Sequence, residues 1–139
     1  MKKTVLVLLA IVVLVLIGCD DTTLTYSDFL GEWDFPGDVH VSVLESSPGS
    51  TEKQLDISWE TDTHEYFAMA EGTAKRNLFT GTYDHNDTNK EDPYNPVFYD
   101  DNRTIRIKLT LKNKKLTVVC TGDSPLGGNT FTSGVKLPD

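Results

Sequence analysis

The densest run of potential metal ligands in the 139-residue chain is Asp84-His85-Asn86-Asp87-Thr88-Asn89-Lys90-Glu91-Asp92. Carboxylate and amide oxygens of this kind suit calcium. Read as an EF-hand loop from Asp84, however, the run has Asn89 where the sixth-place glycine belongs and Asn95 where the closing glutamate belongs. It therefore reads as a solvated polar loop, roughly Asp84 to Pro96, and no metal or other cofactor is expected. His40, His64 and His85 are scattered and read as surface residues. None falls in a Gly-x-Ser-x-Gly or His-Glu-x-x-His pattern. Gly127-Gly128 reads as a turn, because no helix follows to cradle a phosphate. No nucleophile, acid–base pair or metal motif supports catalysis, so the expectation is a protein that is not an enzyme.

The amino terminus carries a different kind of chemistry. Lys2 and Lys3 precede an unbroken apolar run, Val5 to Ile17. As a helix that run spans about 20 Å at ~1.5 Å per residue, too short for a hydrocarbon core of ~30 Å but right for the apolar region of a signal peptide. It ends in Leu16-Ile17-Gly18-Cys19, which resembles the lipobox of bacterial lipoproteins. The resemblance implies that residues 1–18 are a helical signal peptide, that Cys19 is lipidated, and that residues 19–25 tether a domain covering 26–139. It places the protein in the bacterial cell envelope, exported and membrane-attached through acyl chains. Asp20 resembles the retention signal of enteric-type lipoproteins, which would put it on the periplasmic face of the inner membrane.

Lipidation of Cys19 leaves Cys120 without an intramolecular disulfide partner; Cys120 reads as a small apolar core residue. Removing the leader removes Lys2 and Lys3 but no acid, so eleven basic residues face 21 acidic ones and the net charge moves from -8 to -10. A chain this acidic is a poor partner for nucleic acid, whose binding depends on cationic side chains.

The remaining residues must position whatever function exists, and their pattern is β. Tyr26 to Leu30 forms one helical turn that plugs an end of the fold. Val39, Val41 and Val43 alternate with polar residues, as do Leu55, Ile57 and Trp59, and then Ile105, Ile107, Leu109 and Leu111. Phe79, Gly81 and Tyr83 share a face. Two stretches are ambiguous: either Tyr66, Ala68 and Ala70 or Phe67 and Met69 face inward, and either Leu116, Val118 and Cys120 or Thr117 and Val119. About eight strands joined by hairpin-like turns indicate an all-β, antiparallel up-and-down barrel, because closure removes exposed edges.

Phe29-Leu30-Gly31-Glu32-Trp33 resembles the Gly-x-Trp opening of lipocalins and related calycin barrels. The resemblance implies structural roles for Gly31, at a close chain approach, and for Trp33, packed across a closed end. Lys136 stands near where lipocalins carry an arginine against that tryptophan. A lipocalin-like barrel implies a non-enzymatic binder of an apolar small molecule, or else a filled scaffold; the inferred strand faces alone would put the entry between Trp59, Tyr66 or Phe67, and Phe79. The alternative is an acidic interaction module that engages a basic protein or peptide, such as a cationic lysozyme, by electrostatic attraction.

Overall fold

The computed structural model describes residues 24–139; the leader, Cys19 and Asp20 lie outside the described residues. A single 3-10 turn, Tyr26–Phe29, leads into eight strands: β1 Gly31–Phe35, β2 Val39–Glu45, β3 Lys53–Glu60, β4 His64–Lys75, β5 Leu78–Asn89, β6 Val97–Lys112, β7 Lys115–Gly122 and β8 Thr130–Lys136. Each pairs antiparallel with the next, and β8 returns to β1, closing the ring.

Period-two patterning explains the ring. Val41, Val43, Leu55, Ile57, Ala68, Ala70, Phe79, Ile107, Leu109, Leu116 and Val118 all point to the centre with no exposed surface. A side chain with zero exposure borders no gap wide enough for water, so the middle of the barrel is filled. This resolves both ambiguous stretches: Tyr66, Ala68 and Ala70 take the inner face of β4, and Leu116, Val118 and Cys120 that of β7. Small Ala68 and Ala70 on one strand leave room for the large rings of the others, as close packing requires.

Each end is stoppered. At one, Tyr26 and Phe29 are buried, and the Tyr26 hydroxyl donates to the carbonyls of Leu44 (3.1 Å) and Gln54 (2.7 Å), tying the turn to β2 and β3. Trp33 packs beneath, its indole N–H donating to the Phe29 carbonyl at 2.8 Å. Gly31 has φ +121°, and a Cβ there would lie 2.7 Å from Lys136 Cε, so this lysine stem covers the glycine. At the other end the β7–β8 connection folds back. Leu126 is fully buried, and the Tyr83 hydroxyl donates to the Asp123 carbonyl (2.7 Å) while accepting from the Leu126 N–H (3.1 Å).

Two expectations are corrected. The polar stretch Asp84–Pro96 is not a loop throughout: β5 continues to Asn89, the connection covers only residues 90–96, and β6 begins at Val97. Apolar alternation is absent there because this part of the sheet runs past the core and has no apolar layer to face. The residues Asp84 to Asn89 also alternate between opposite faces, so their oxygens do not converge as calcium requires. His85 is not a surface residue; it is 6% exposed on the inner face.

Gly72 of β4 lies directly opposite Gly81 of β5, where the two backbones approach closely. A Cβ on Gly81 would sit 2.0 Å from the Glu71 carbonyl oxygen, against backbone that cannot yield. Gly81→Ala should therefore lower stability in urea unfolding by roughly 2–4 kcal/mol. Gly37→Ala, at φ +83° with no neighbour within 4 Å, should lose only about 1–2 kcal/mol.

Candidate functional site

Strand lengths create the feature that stands apart from the packed core. Strand β6 spans 16 residues and β7 spans 8. Pairing between them starts at Ile105 opposite Gly122. The first part of β6 therefore pairs only with the end of β5, which in turn pairs with the start of β4. Together His64–Met69, Asp84–Asn89 and 97–102 form an arm at this end of the sheet, its β4 side still joined to β3 through Tyr66 opposite Trp59 and Ala68 opposite Ile57. A bulge bends its root: the register jumps from Tyr83 opposite Arg103 to His85 opposite Tyr99. Asp84 pins the bulge by accepting the Asn102 N–H at 3.1 Å.

The arm's inner face is aromatic and polar. Trp59 stacks on Tyr66 at 4.9 Å between ring centroids, and His64 covers the same tyrosine at 5.9 Å. His85 lies parallel to Tyr99 at 4.6 Å. Arg103 sits 5.5 Å over Tyr99 and holds Asp101 through its Nε at 2.8 Å. Burial, then the positive field of Arg103, lowers the His85 pKa, so its ring is neutral. Its Nδ1 and the buried Oδ1 of Asp87 have no hydrogen-bond partner. His64 Nε2 is 3.8 Å from that oxygen, too long for a hydrogen bond. Burial first, then the Asp87 charge, raises the Tyr66 pKa.

The outer face is apolar, edged with acid. Phe67 is 37% exposed, Met69 47% and Phe98 73%. Phe67, Asn86 and Phe98 form one row across three strands. They border a groove of about 300 Å³ lined also by Asp84, Tyr99 and Asp100. On the other side of Phe67 lies a more polar groove of about 410 Å³, lined by Asp38, Glu60 and Glu65 among others.

Of the ligand-binding residues expected from sequence, Trp59, Tyr66 and Phe67 all line the groove of about 410 Å³, and Phe79 does not. Trp59 and Tyr66 meet at the arm's inner face, Phe67 points outward, and Phe79 is buried at the far end, 6.5 Å from Tyr26. Phe79 opposes Ala74, eight residues along β4 from Tyr66, about 26 Å at ~3.3 Å per residue. Gly31 and Trp33 occupy the plugged end described above.

Neither the His40 cluster nor the buried Cys120 is arranged as a nucleophile beside a base. On the outer face of β1 and β2, His40 Nδ1 meets Asp34 and Nε2 meets Glu32, each at 2.6 Å. Ser42 donates to Glu32, not to the histidine. Hydrogen bonding to Asp34, ahead of that to Glu32, raises the His40 pKa and favours the imidazolium, which cannot act as a base. Burial pushes the Cys120 thiol up to about 12, leaving no thiolate for attack. Among the described residues no group of three or more His, Cys, Asp or Glu could hold a metal ion. No protein-family model matches the chain, nor does any curated protein or solved structure.

The two histidines pull stability in opposite directions with pH. His85, lowered below its unfolded value near 6.5, contributes stability present above that value and lost as pH falls through its folded pKa. His40, raised, contributes stability complete below the same value and lost as pH rises through its folded pKa. Thermal melts across this range should show His85→Phe removing the acid-side loss. That variant should also raise stability at neutral pH by roughly 1 kcal/mol, since it keeps the ring and removes an unpaired polar atom. His40→Asn should be weakened most at acid pH, the deficit narrowing as pH rises.

Proposed function

We propose that the protein is an exported bacterial lipoprotein, lipidated at Cys19, whose barrel is a non-enzymatic interaction module that binds a basic protein or peptide at the cell envelope. The leader and its Leu16-Ile17-Gly18-Cys19 ending support the anchor and, with Asp20, the periplasmic face of the inner membrane. The observation that carries the binding mode is the exposed groove beside Phe67, where Asp84 and Asp100 flank apolar surface and no lysine or arginine lines the wall. The filled barrel centre supports an external binding surface over an internal small-ligand cavity. Acidic charge of -10 outside the leader would attract a basic partner and speed encounter.

The anchor is checked by Cys19→Ser, which should abolish partition into the detergent phase and alter the mass of the mature chain; unchanged partition and mass would refute it. Partner binding is checked with the full lipoprotein in detergent micelles against a cationic lysozyme and a neutral protein of similar size. Affinity for the lysozyme should fall by at least roughly tenfold from low to physiological salt, as exposed charges are screened. Equal affinity for both proteins, or binding indifferent to salt, would overturn the electrostatic reading.

A further inference from the structure

We propose that the arm receives its partner as an added strand: an extended basic segment, alternating Lys or Arg with apolar residues, lies along the start of β6 and seats an apolar side chain in the groove beside Phe98. The proposal rests on the interaction-module reading above and specifies where and how that partner binds.

The backbone provides the track. Val97, Phe98 and Tyr99 pair with Asp87, Asn86 and His85 of β5, and among the described residues no strand pairs with their opposite side. Among the described residues, the returning β7–β8 connection first meets β6 at Thr104, whose carbonyl accepts the Asp123 N–H at 2.9 Å, and at Arg103, whose guanidinium donates to the Ser124 carbonyl. An unpaired strand edge is a template for an incoming strand, and main-chain hydrogen bonds there favour an extended segment over a helix.

Side chains supply the specificity. Alternate residues of the added strand would face the outer groove, where Phe67, Met69 and Phe98 offer apolar surface and Asp84 and Asp100 offer negative charge. Asp101 is occupied by Arg103, and Lys90 is occupied by Glu60 at 2.7 Å. Asp100 has no ion pair among the described residues, and Asp84 bonds only to a neutral backbone N–H. A cationic side chain beside the apolar anchor would meet both carboxylates. A second copy of this chain fits poorly, because edge-to-edge pairing would bring Asp100 and Asp101 toward an equally acidic edge.

The test uses the full lipoprotein in detergent micelles and three short synthetic peptides: one alternating Lys and Val, one of Lys and Gly with the same charge, and one alternating Glu and Val. Binding is read by calorimetry and its location by amide chemical shifts. The Lys–Val peptide should bind most tightly, with the largest shifts at Val97–Tyr99, Phe67 and Met69. Phe98→Ser, at a position exposed enough to leave the fold intact by circular dichroism, should weaken it about tenfold while barely affecting the Lys–Gly peptide. Asp100→Asn should reduce the salt dependence of Lys–Val binding.

Shifts on another face, or equal binding of both cationic peptides with no effect of Phe98→Ser, would overturn strand addition here while leaving the basic-partner reading standing. Failure of every cationic probe, lysozyme included, at low salt would overturn both. Concentration-dependent self-association that Phe98→Ser abolishes would assign the arm to a second copy and overturn the basic segment.

Discussion

The seam between β8 and β1 is the junction on which the closed fold depends. It is short: Trp33 opposes Lys136 and Asp34 opposes Val135, with one further bond from the Leu137 N–H to the Glu32 carbonyl at 2.9 Å. So small a ladder would be a weak closure by hydrogen bonding alone. Packing supplies the rest. Phe35 lies against Phe131 at 6.3 Å, and Gly134 lets the same ring lie so close that a Cβ there would be 2.4 Å from Phe35 Cζ. With the seam shut, the inward side chains fill the space an eight-stranded barrel encloses. The plug at Tyr26 and the lid at Leu126 then exclude water from both ends.

A filled centre moves any binding function outward. Strand β6 is longer than its neighbour β7, and its unpaired start, with the ends of β5 and β4 that it meets, becomes the arm. There the balance of forces changes. In the barrel, apolar burial decides which face each residue takes. In the arm, rings stack on rings, a neutral histidine and a carboxylate oxygen are buried without hydrogen bonds, and phenylalanines face solvent. The unpaired polar atoms and the solvent-facing phenylalanines cost stability in the free protein, which the stacked rings partly offset. Their concentration in one region is the physical reason to assign function to the arm rather than to the His40 cluster. That cluster's ring nitrogens are both satisfied by carboxylates and its surface is polar.

Legibility in the sequence follows the same division. Val39, Val41 and Val43, Leu55, Ile57 and Trp59, and Ile105 to Leu109 announce their strands because one side of each meets a dry core. The barrel class was readable for that reason. At β4 the pattern was readable as a strand but not as a face, because small alanines alternate with Phe67 and Met69, and hydrophobicity alone favours the larger pair. The structure chooses Ala68 and Ala70 because rings from other strands already occupy the centre. From Asp84 to Asn89 neither face is apolar, so a six-residue strand continuation reads as a loop.

The candidate site was half visible for a related reason. Trp59 and Tyr66 are neighbours in register, and each stood out as an aromatic residue on an alternating strand. For Phe67 the sequence leaves the face open, since nothing local distinguishes an inward ring from an outward one; the structure turns it outward, at the rim of the groove that Trp59 and Tyr66 also line. Phe98 and Met69 gave no signal of binding at all. Met69 is exposed because it takes the outer face of β4, and Phe98 stands on the part of β6 that outruns β7, a mismatch set by residues more than twenty positions away in sequence. Because barrel closure usually removes free edges, the edge at Val97 exists only where one strand outruns its neighbour. Acid at Asp100 and Asp101 next to that edge works against self-pairing yet leaves it open to a basic strand. Protection from aggregation and selection of a partner can therefore rest on the same two carboxylates, with the groove beside Phe98 supplying apolar contact that charge alone does not.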